Sequence, residues 1–392
     1  MKLGWGPKEE AFRAELVAFL DEQAPPEALV QRDFDSIEDD SGDIIPAWSR
    51  KWQSTLFDHG WMIPAYPAEL GGRNCTPIQT LAYLEEMARR SIPRSFHFPG
   101  YAIVAPSLLE FGTSEQQTLA PAAIRGDTVW CIGMSEPNAG SDLAGIQTRA
   151  AVHDDHFVVN GQKVWTSYAM VAQKCFCYVR TNPDVPKHKG ISLLIVDMDT
   201  PGIEIRPLRH ITGAASFAEV FFTDVVVARE NLVGGLDDGW RITQGSLAHE
   251  RAGLWVESVS RLEYTVGSLI ALARRRGLDR DPVVRRRLAE MYERAASLRA
   301  LGYKGFASFA QGSSAPEHSF MKMATSELGQ ECFELGVEMQ GAYGTVVDGE
   351  RSEESGRWAH SFFVSFASTI AGGSSEIQRN IIAQRVLGLP RG

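Results

Sequence analysis

Three short stretches combine residue types that can hold a ligand. The first, Cys131-Ile132-Gly133-Met134-Ser135-Glu136-Pro137-Asn138-Ala139-Gly140-Ser141-Asp142, reads as a strand running into a polar, glycine-containing loop. Such a loop exposes backbone N–H groups and hydroxyls, which suits a planar heterocycle with a phosphate tail. The second, Lys163-Val164-Trp165-Thr166-Ser167, sets an aromatic stacking surface beside hydrogen-bonding hydroxyls. The third, Ala371-Gly372-Gly373-Ser374-Ser375-Glu376-Ile377-Gln378-Arg379, is a glycine loop that opens a helix. Free N–H groups and the positive dipole end at such a helix start favour a phosphate or an oxyanion. Taken alone, each has a plainer reading: a tight turn, a buried structural tryptophan and a capped helix start.

Other chemistries lack an anchor. The chain has no GxGxxG after a strand, no GxxxxGK[ST], no HExxH and no GxSxG, which removes the Rossmann, P-loop, zincin and α/β-hydrolase readings. Cys75, Cys131, Cys175, Cys177 and Cys332 are odd in number and show no ligand spacing. They are expected as reduced thiols, with no metal site. Lys and Arg total 39 against 49 Asp and Glu, a net charge of −10 with no basic stripe, so no nucleic-acid partner is expected. The runs Arg274-Arg275-Arg276 and Arg285-Arg286-Arg287 read as solvated helix-end surface. The N-terminal segment becomes charged and amphipathic at once, so no signal peptide is expected. No window of about 18 apolar residues occurs, so no membrane span is expected and the cytoplasm is the expected location.

Periodicity divides the chain into three zones that must position those stretches. Over residues 1–127, apolar positions recur three or four apart, as in Phe12, Leu16, Phe19 and Leu20 and in Leu81, Leu84, Met87 and Ala88. Over 128–237 the period becomes two. His156 to Trp165 carries an Asn160-Gly161 hairpin signal, and Cys175–Arg180, Gly190–Asp197, Ile203–Leu208 and Ala218–Val227 are further β-rich runs. Over 238–392 the helical period returns. Asp281-Pro282 reads as a cap and first helical residue, followed by a stripe of Val284, Leu288, Met291, Ala295 and Leu298. The last helix is expected from about Ser375 to Leu387-Gly388. The expected class is α+β multidomain, with helices, then an antiparallel β-barrel or sandwich, then a helical bundle.

In this order and at these separations, Met-Ser-Glu-Pro-x-x-Gly-Ser-Asp (134–142), Asn-Gly-x-Lys-x-Trp (160–165) and Gly-x-Ser-x-Glu-Ile-Gln-Arg (372–379) resemble the acyl-CoA dehydrogenase family over essentially the whole chain. The resemblance implies an N-terminal α-helical domain, a middle antiparallel β-barrel domain and a C-terminal four-helix-bundle domain. It also implies FAD at a subunit interface of a homotetramer or dimer, an acyl-CoA substrate and an electron-transfer flavoprotein as acceptor. Carried across, Met134, Ser135 and Ser141 meet the flavin or its pyrophosphate, with Ser141 also near substrate. Trp165, Thr166 and Ser167 flank the isoalloxazine ring, and Ser374 and Glu376 face the adenosine end.

The implied reaction removes an α-proton from a thioester while hydride leaves the β carbon for flavin N5. Its base is a desolvated glutamate, which many family members place in the loop before the last helix. Here that position is Gly372. Other members, often those acting on branched or bulky chains, carry the base on the first long helix after the β domain, and Glu250 matches it, followed by Arg251. Gly372 keeps a backbone N–H that can polarise the thioester carbonyl. The family's Arg-x-x-Phe is incomplete, with Arg276 present but Asp279 in the phenylalanine position, and Gly341 lies in a turn resembling the one at the adenosine end. Arg94 to Tyr101, with Phe96, His97, Phe98 and Pro99, are expected to help line the acyl pocket. The reading that follows is α,β-desaturation of a branched or bulky acyl-CoA. The alternatives are an acyl-CoA oxidase, a flavin monooxygenase, against which Glu250 argues, and a non-catalytic subunit of a hetero-oligomer.

Overall fold

The computed structural model describes residues 5–26, 44–90, 92–95, 97–310, 317–347 and 349–390, and side chains throughout these except at 245–254, 309–310 and 317–319. In chain order the N-terminal helices are α1 (Pro7–Gln23), α2 (Ala47–Asp58), α3 (Pro77–Arg89), α4 (Ala105–Phe111), α5 (Ser114–Gln117) and α6 (Ala120–Arg125). The strands are β1 (Trp130–Gly133), β2 (Arg149–Val152), β3 (His156–Ser167), β4 (Lys174–Arg180), β5 (Ile191–Asp197), β6 (Ile203–Leu208), β7 (Phe217–Ala228) and β8 (Leu232–Val233). Helices α7 (Gly239–Arg275), α8 (Pro282–Ala310), α9 (Glu317–Glu338), α10 (Arg357–Ile370) and α11 (Ser375–Ile381) follow. Residues pack as two compact units: Met1–Val17 with Pro77–Ile92 and Arg251–Gly392, and Ala18–Thr76 with Pro93–Glu250.

The second unit is built around the sheet, whose strands run β6-β7-β3-β2-β4-β5-β8, with β1 added against β4. Most neighbours are antiparallel, but β1 and β2 each meet β4 in parallel. The path ends at β6 and β8 without a pairing between them, so the sheet is open where a closed barrel was expected. Strands β4 and β5 are buried along nearly their whole length, which is why they read as continuous apolar runs. Their residues meet Phe157, Val159, Val220 and Phe222 of the central strands in one core.

The Asn160-Gly161 signal has a different outcome from a hairpin. Strand β3 passes straight through it, and the chain reverses at His153–His156 instead. Gly161 sits at a register shift against β7 with φ +150°, and a Cβ there would meet the Thr148 Cα at 2.7 Å. The glycine is needed for a bulge and a close approach, a second use of the residue that the dipeptide alone does not distinguish.

In the first unit, α9 packs against both α8 and α10. Asp281 Oδ1 accepts from the N–H groups of Val283 (2.8 Å) and Val284 (3.0 Å), so the cap read from sequence forms. Leu288, Met291, Ala295 and Leu298 are buried as the stripe requires. The arginine runs lie mostly exposed and largely paired, Arg275 with Glu353 at 3.1 Å and Arg286 with Glu290 at 3.1 Å. No helix among the described residues is long and apolar enough to cross a membrane.

Candidate functional site

The first two motifs meet through a buried ion pair. Lys163 Nζ lies 2.8 Å from Glu136 Oε1 and 3.2 Å from the Met134 carbonyl, and Lys163 is fully buried. The same glutamate accepts from the N–H groups of Gln147 (2.6 Å) and Thr148 (2.9 Å). Burial pushes the Glu136 carboxyl up, but the Lys163 ammonium and these backbone donors outweigh it and hold the group below the usual carboxylate range. The Val164 N–H donates to the Ser135 carbonyl at 2.9 Å. Met134 and Ser135 are thus fixed beside β3.

Immediately after this clamp, β3 slips register between Lys163 and Thr166. Trp165 occupies the left-handed region with φ +59° and stands 60% exposed, edge-on to Phe217 at 6.0 Å. A large apolar ring held in that conformation and turned to solvent is an uncommon state for a folded chain. Thr166 re-enters the ladder opposite Ala218, and its Oγ1 is buried without a hydrogen-bond partner among the described residues. Ser167 is half-buried at the strand end. Ser141 is exposed next to Asp142, which pairs with Lys187 at 2.6 Å.

Sequence reasoning gave His97 only a place in a pocket wall and passed over Tyr168. The His97 ring is buried, with Nε2 2.9 Å from the Trp130 carbonyl oxygen and 3.0 Å from the Trp130 N. Burial lowers its pKa to about 4, so the ring is neutral near pH 7. Tyr168, with φ +66°, packs edge-on against it at 5.5 Å between ring centroids, and burial pushes its phenol up to about 12. Phe96 lies outside the described residues.

Most of the remaining candidates divide into two places in the first unit. Arg276 Nη2 donates to the Gln340 carbonyl at 3.0 Å, which brings Arg276 to the turn holding Gly341. In the glycine loop between α10 and α11, Gly372 has φ +66° and Gly373 φ +94°. Ser374 caps α11, its hydroxyl accepting from the Ile377 N–H at 3.4 Å. Glu376 is exposed, and its own N–H and the Ser374 hydroxyl hold its carboxyl low. Glu250 and Arg251 lie on α7, and their side chains fall outside those described.

Three family models cover the chain: acyl-CoA dehydrogenase N-terminal domain at residues 6–127, middle domain at 131–225 and C-terminal domain at 237–387. The chain belongs to the acyl-CoA dehydrogenase family. It is 37% identical over 353 residues to acyl-CoA dehydrogenase IpdE1 of Mycolicibacterium smegmatis, covering 87% of this chain and 88% of that one. It is 38% identical over 344 residues to acyl-CoA dehydrogenase FadE34 of Mycobacterium tuberculosis, covering 87% of this chain and 46% of that one. Among solved structures it resembles the Tcur3481-Tcur3483 steroid ACAD, with TM-score 0.86, 28% identity and both chains covered completely. It also resembles the ChsE4-ChsE5 complex of Mycobacterium tuberculosis, with TM-score 0.81, 29% identity and both chains again covered completely.

This acyl-CoA dehydrogenase is a flavin-dependent oxidoreductase, and the residues present fit FAD. The exposed Trp165 supplies a stacking face, and the orphaned Thr166 hydroxyl supplies a buried polar group needing a partner. Met134 and Ser135 sit beside them on a loop locked by Glu136 and Lys163. That ion pair was quoted inside the motifs but given no role. A glutamate in the first motif and a lysine in the second, opposite charges in two stretches read as meeting one ligand, are the signal that could have found it.

Proposed function

We propose that this enzyme removes the α-proton of a bulky, ring-bearing acyl-CoA with Glu250. The observation that carries the reading is the glycine loop, which offers no usable base. Gly372 presents backbone only, and Glu376 is exposed and held low, the wrong direction for abstracting a weakly acidic proton. A carboxylate on α7 meets the need, and Arg251 follows it to help hold the substrate. FAD, when bound, accepts the β hydride. Gly372 leaves room in the loop for a wide acyl group, and its N–H polarises the thioester carbonyl. The likeness to the Tcur3481-Tcur3483 steroid ACAD supports the ring-bearing substrate class.

An electron-transfer flavoprotein reoxidises the enzyme in this reading, and the cytoplasm is its location. The change from helices to strands at β1 and back at α7 supports domain limits at 127 and 237. A neighbouring chain completes the FAD site. The ChsE4-ChsE5 complex and the Tcur3481-Tcur3483 steroid ACAD, each named for two components, favour an unlike neighbour over the homotetramer expected from sequence, as does Asp279 in the family's phenylalanine position.

Glu250→Gln tests the base: FAD and acyl-CoA affinity stay while turnover falls by orders of magnitude. Wild-type activity in that variant would sink the assignment. A screen of straight, branched and ring-bearing acyl-CoA thioesters with an artificial acceptor tests the substrate class, and preference for short straight chains counts against it. Steady hydrogen peroxide release without an acceptor would replace the dehydrogenase by an oxidase.

A further inference from the structure

Two side chains grip successive carbonyls of the glycine loop. Gln378 Nε2 donates to the Gly372 carbonyl at 2.9 Å, and Lys322 Nζ donates to the Gly373 carbonyl at 2.7 Å. Gln378 lies on α11 and is 3% exposed, and Lys322 reaches over from α9, half-buried. The loop entry is fixed as well, since the Ala371 N–H donates to Ala367 at 2.8 Å. Because each peptide is planar and trans, holding these groups leaves the segment little freedom to rotate. Among the described residues nothing accepts from the Gly372 or Gly373 N–H groups.

Lys322 is an unusual choice for a purely structural clasp. Its ammonium is partly desolvated, which lowers its pKa, and no carboxylate among the described residues lies within ion-pair distance of it. The nearby Glu327 is instead paired with Arg379 at 2.5 Å. Holding a charge there costs stability that a neutral donor would not. Enzymes accept that cost where charge develops during reaction. The Lys322 Cε lies 4.0 Å from where a Gly372 Cβ would stand, so the stem runs alongside the residue assigned to the thioester carbonyl.

We propose that Lys322 is a positioning residue for the dehydrogenation. It locks the Gly372-Gly373 segment so that the Gly372 N–H meets the thioester oxygen, and its charge favours the negative charge growing there. The inference rests on the reading of Gly372 as a thioester donor.

The test uses purified holoenzyme and the best-turned-over acyl-CoA of the screen above, labelled with carbon-13 at its thioester carbonyl. Wild type shifts the bound carbonyl stretch to lower frequency in isotope-edited infrared spectra. Lys322→Met loses most of that shift and lowers kcat roughly 10- to 100-fold, with KM changed by less than about threefold. Lys322→Arg, which keeps charge and reach, restores both. Lys322→Gln removes the charge but keeps a polar group at the half-buried site, and it decides the matter if the methionine variant does not fold. A folded Lys322→Met or Lys322→Gln enzyme with wild-type kcat and carbonyl frequency overturns the proposal. If Glu250→Gln abolishes turnover in the same series, the base assignment survives that failure. A wild-type enzyme whose bound carbonyl shows no shift overturns the Gly372 reading, and this one with it.

Discussion

The Lys163 ammonium and the Glu136 carboxylate meet at 2.8 Å, joining the loop after β1 to the end of β3 with both side chains buried. Lys163 also holds the Met134 carbonyl, so this contact fixes the loop against the strand that presents Trp165 and Thr166. Glu136→Gln leaves a buried ammonium uncompensated, and stability falls by about 3–5 kcal/mol, read from the urea midpoint. Loss of bound flavin, measured by its absorbance after gel filtration, accompanies it. An unchanged midpoint and flavin content would show that the pair is dispensable. Because the folded carboxyl lies below its unfolded value, its contribution is complete above about pH 4.3 and fades as pH drops below that.

Thr166 carries a buried hydroxyl with no partner among the described residues. Thr166→Val removes that unsatisfied group while keeping the shape, so the flavin-free protein melts at the same temperature or higher. The flavin dissociation constant rises roughly 2- to 13-fold, the equivalent of one neutral hydrogen bond. Fluorescence titration of the apoprotein with FAD measures it. Unchanged affinity would remove Thr166 from the cofactor site.

His97 predicts an acid sensitivity separate from that of Glu136. Its folded pKa of about 4 lies below the unfolded value, so the native ring resists a proton that the unfolded chain accepts. Burial is the main cause, and the Arg50 charge adds to it. The stability is complete above about pH 6.5 and is lost progressively as pH falls towards 4, by roughly 3 kcal/mol at most. Urea midpoints between pH 7 and pH 4.5 should fall more steeply for wild type than for His97→Gln. Parallel curves would show that the ring does not set this dependence.

The sequence shows element type well wherever a local period exists. The runs at 175–180, 203–208 and 218–227, the Asp281 cap and the last helix all appear in place, because burial on one face and capping are local requirements. The Asn160-Gly161 dipeptide misleads because a tight turn and a bulge make the same demand on the backbone. Only the approach of Thr148 from another strand distinguishes them. Likewise the sheet's open path between β6 and β8 depends on pairings far apart in sequence.

By itself, then, the sequence determined the family, the cofactor and the stretches that carry the chemistry, since these depend on residue types in a fixed order. Tertiary structure decided what those residues do to one another. It placed Lys163 against Glu136, left the Thr166 hydroxyl without a partner, turned Trp165 to solvent and laid Lys322 on the Gly373 carbonyl. Each is a contact, or a missing contact, between segments the chain brings together only on folding. Desolvation and hydrogen bonding act through such distances, and no spacing along the chain encodes them.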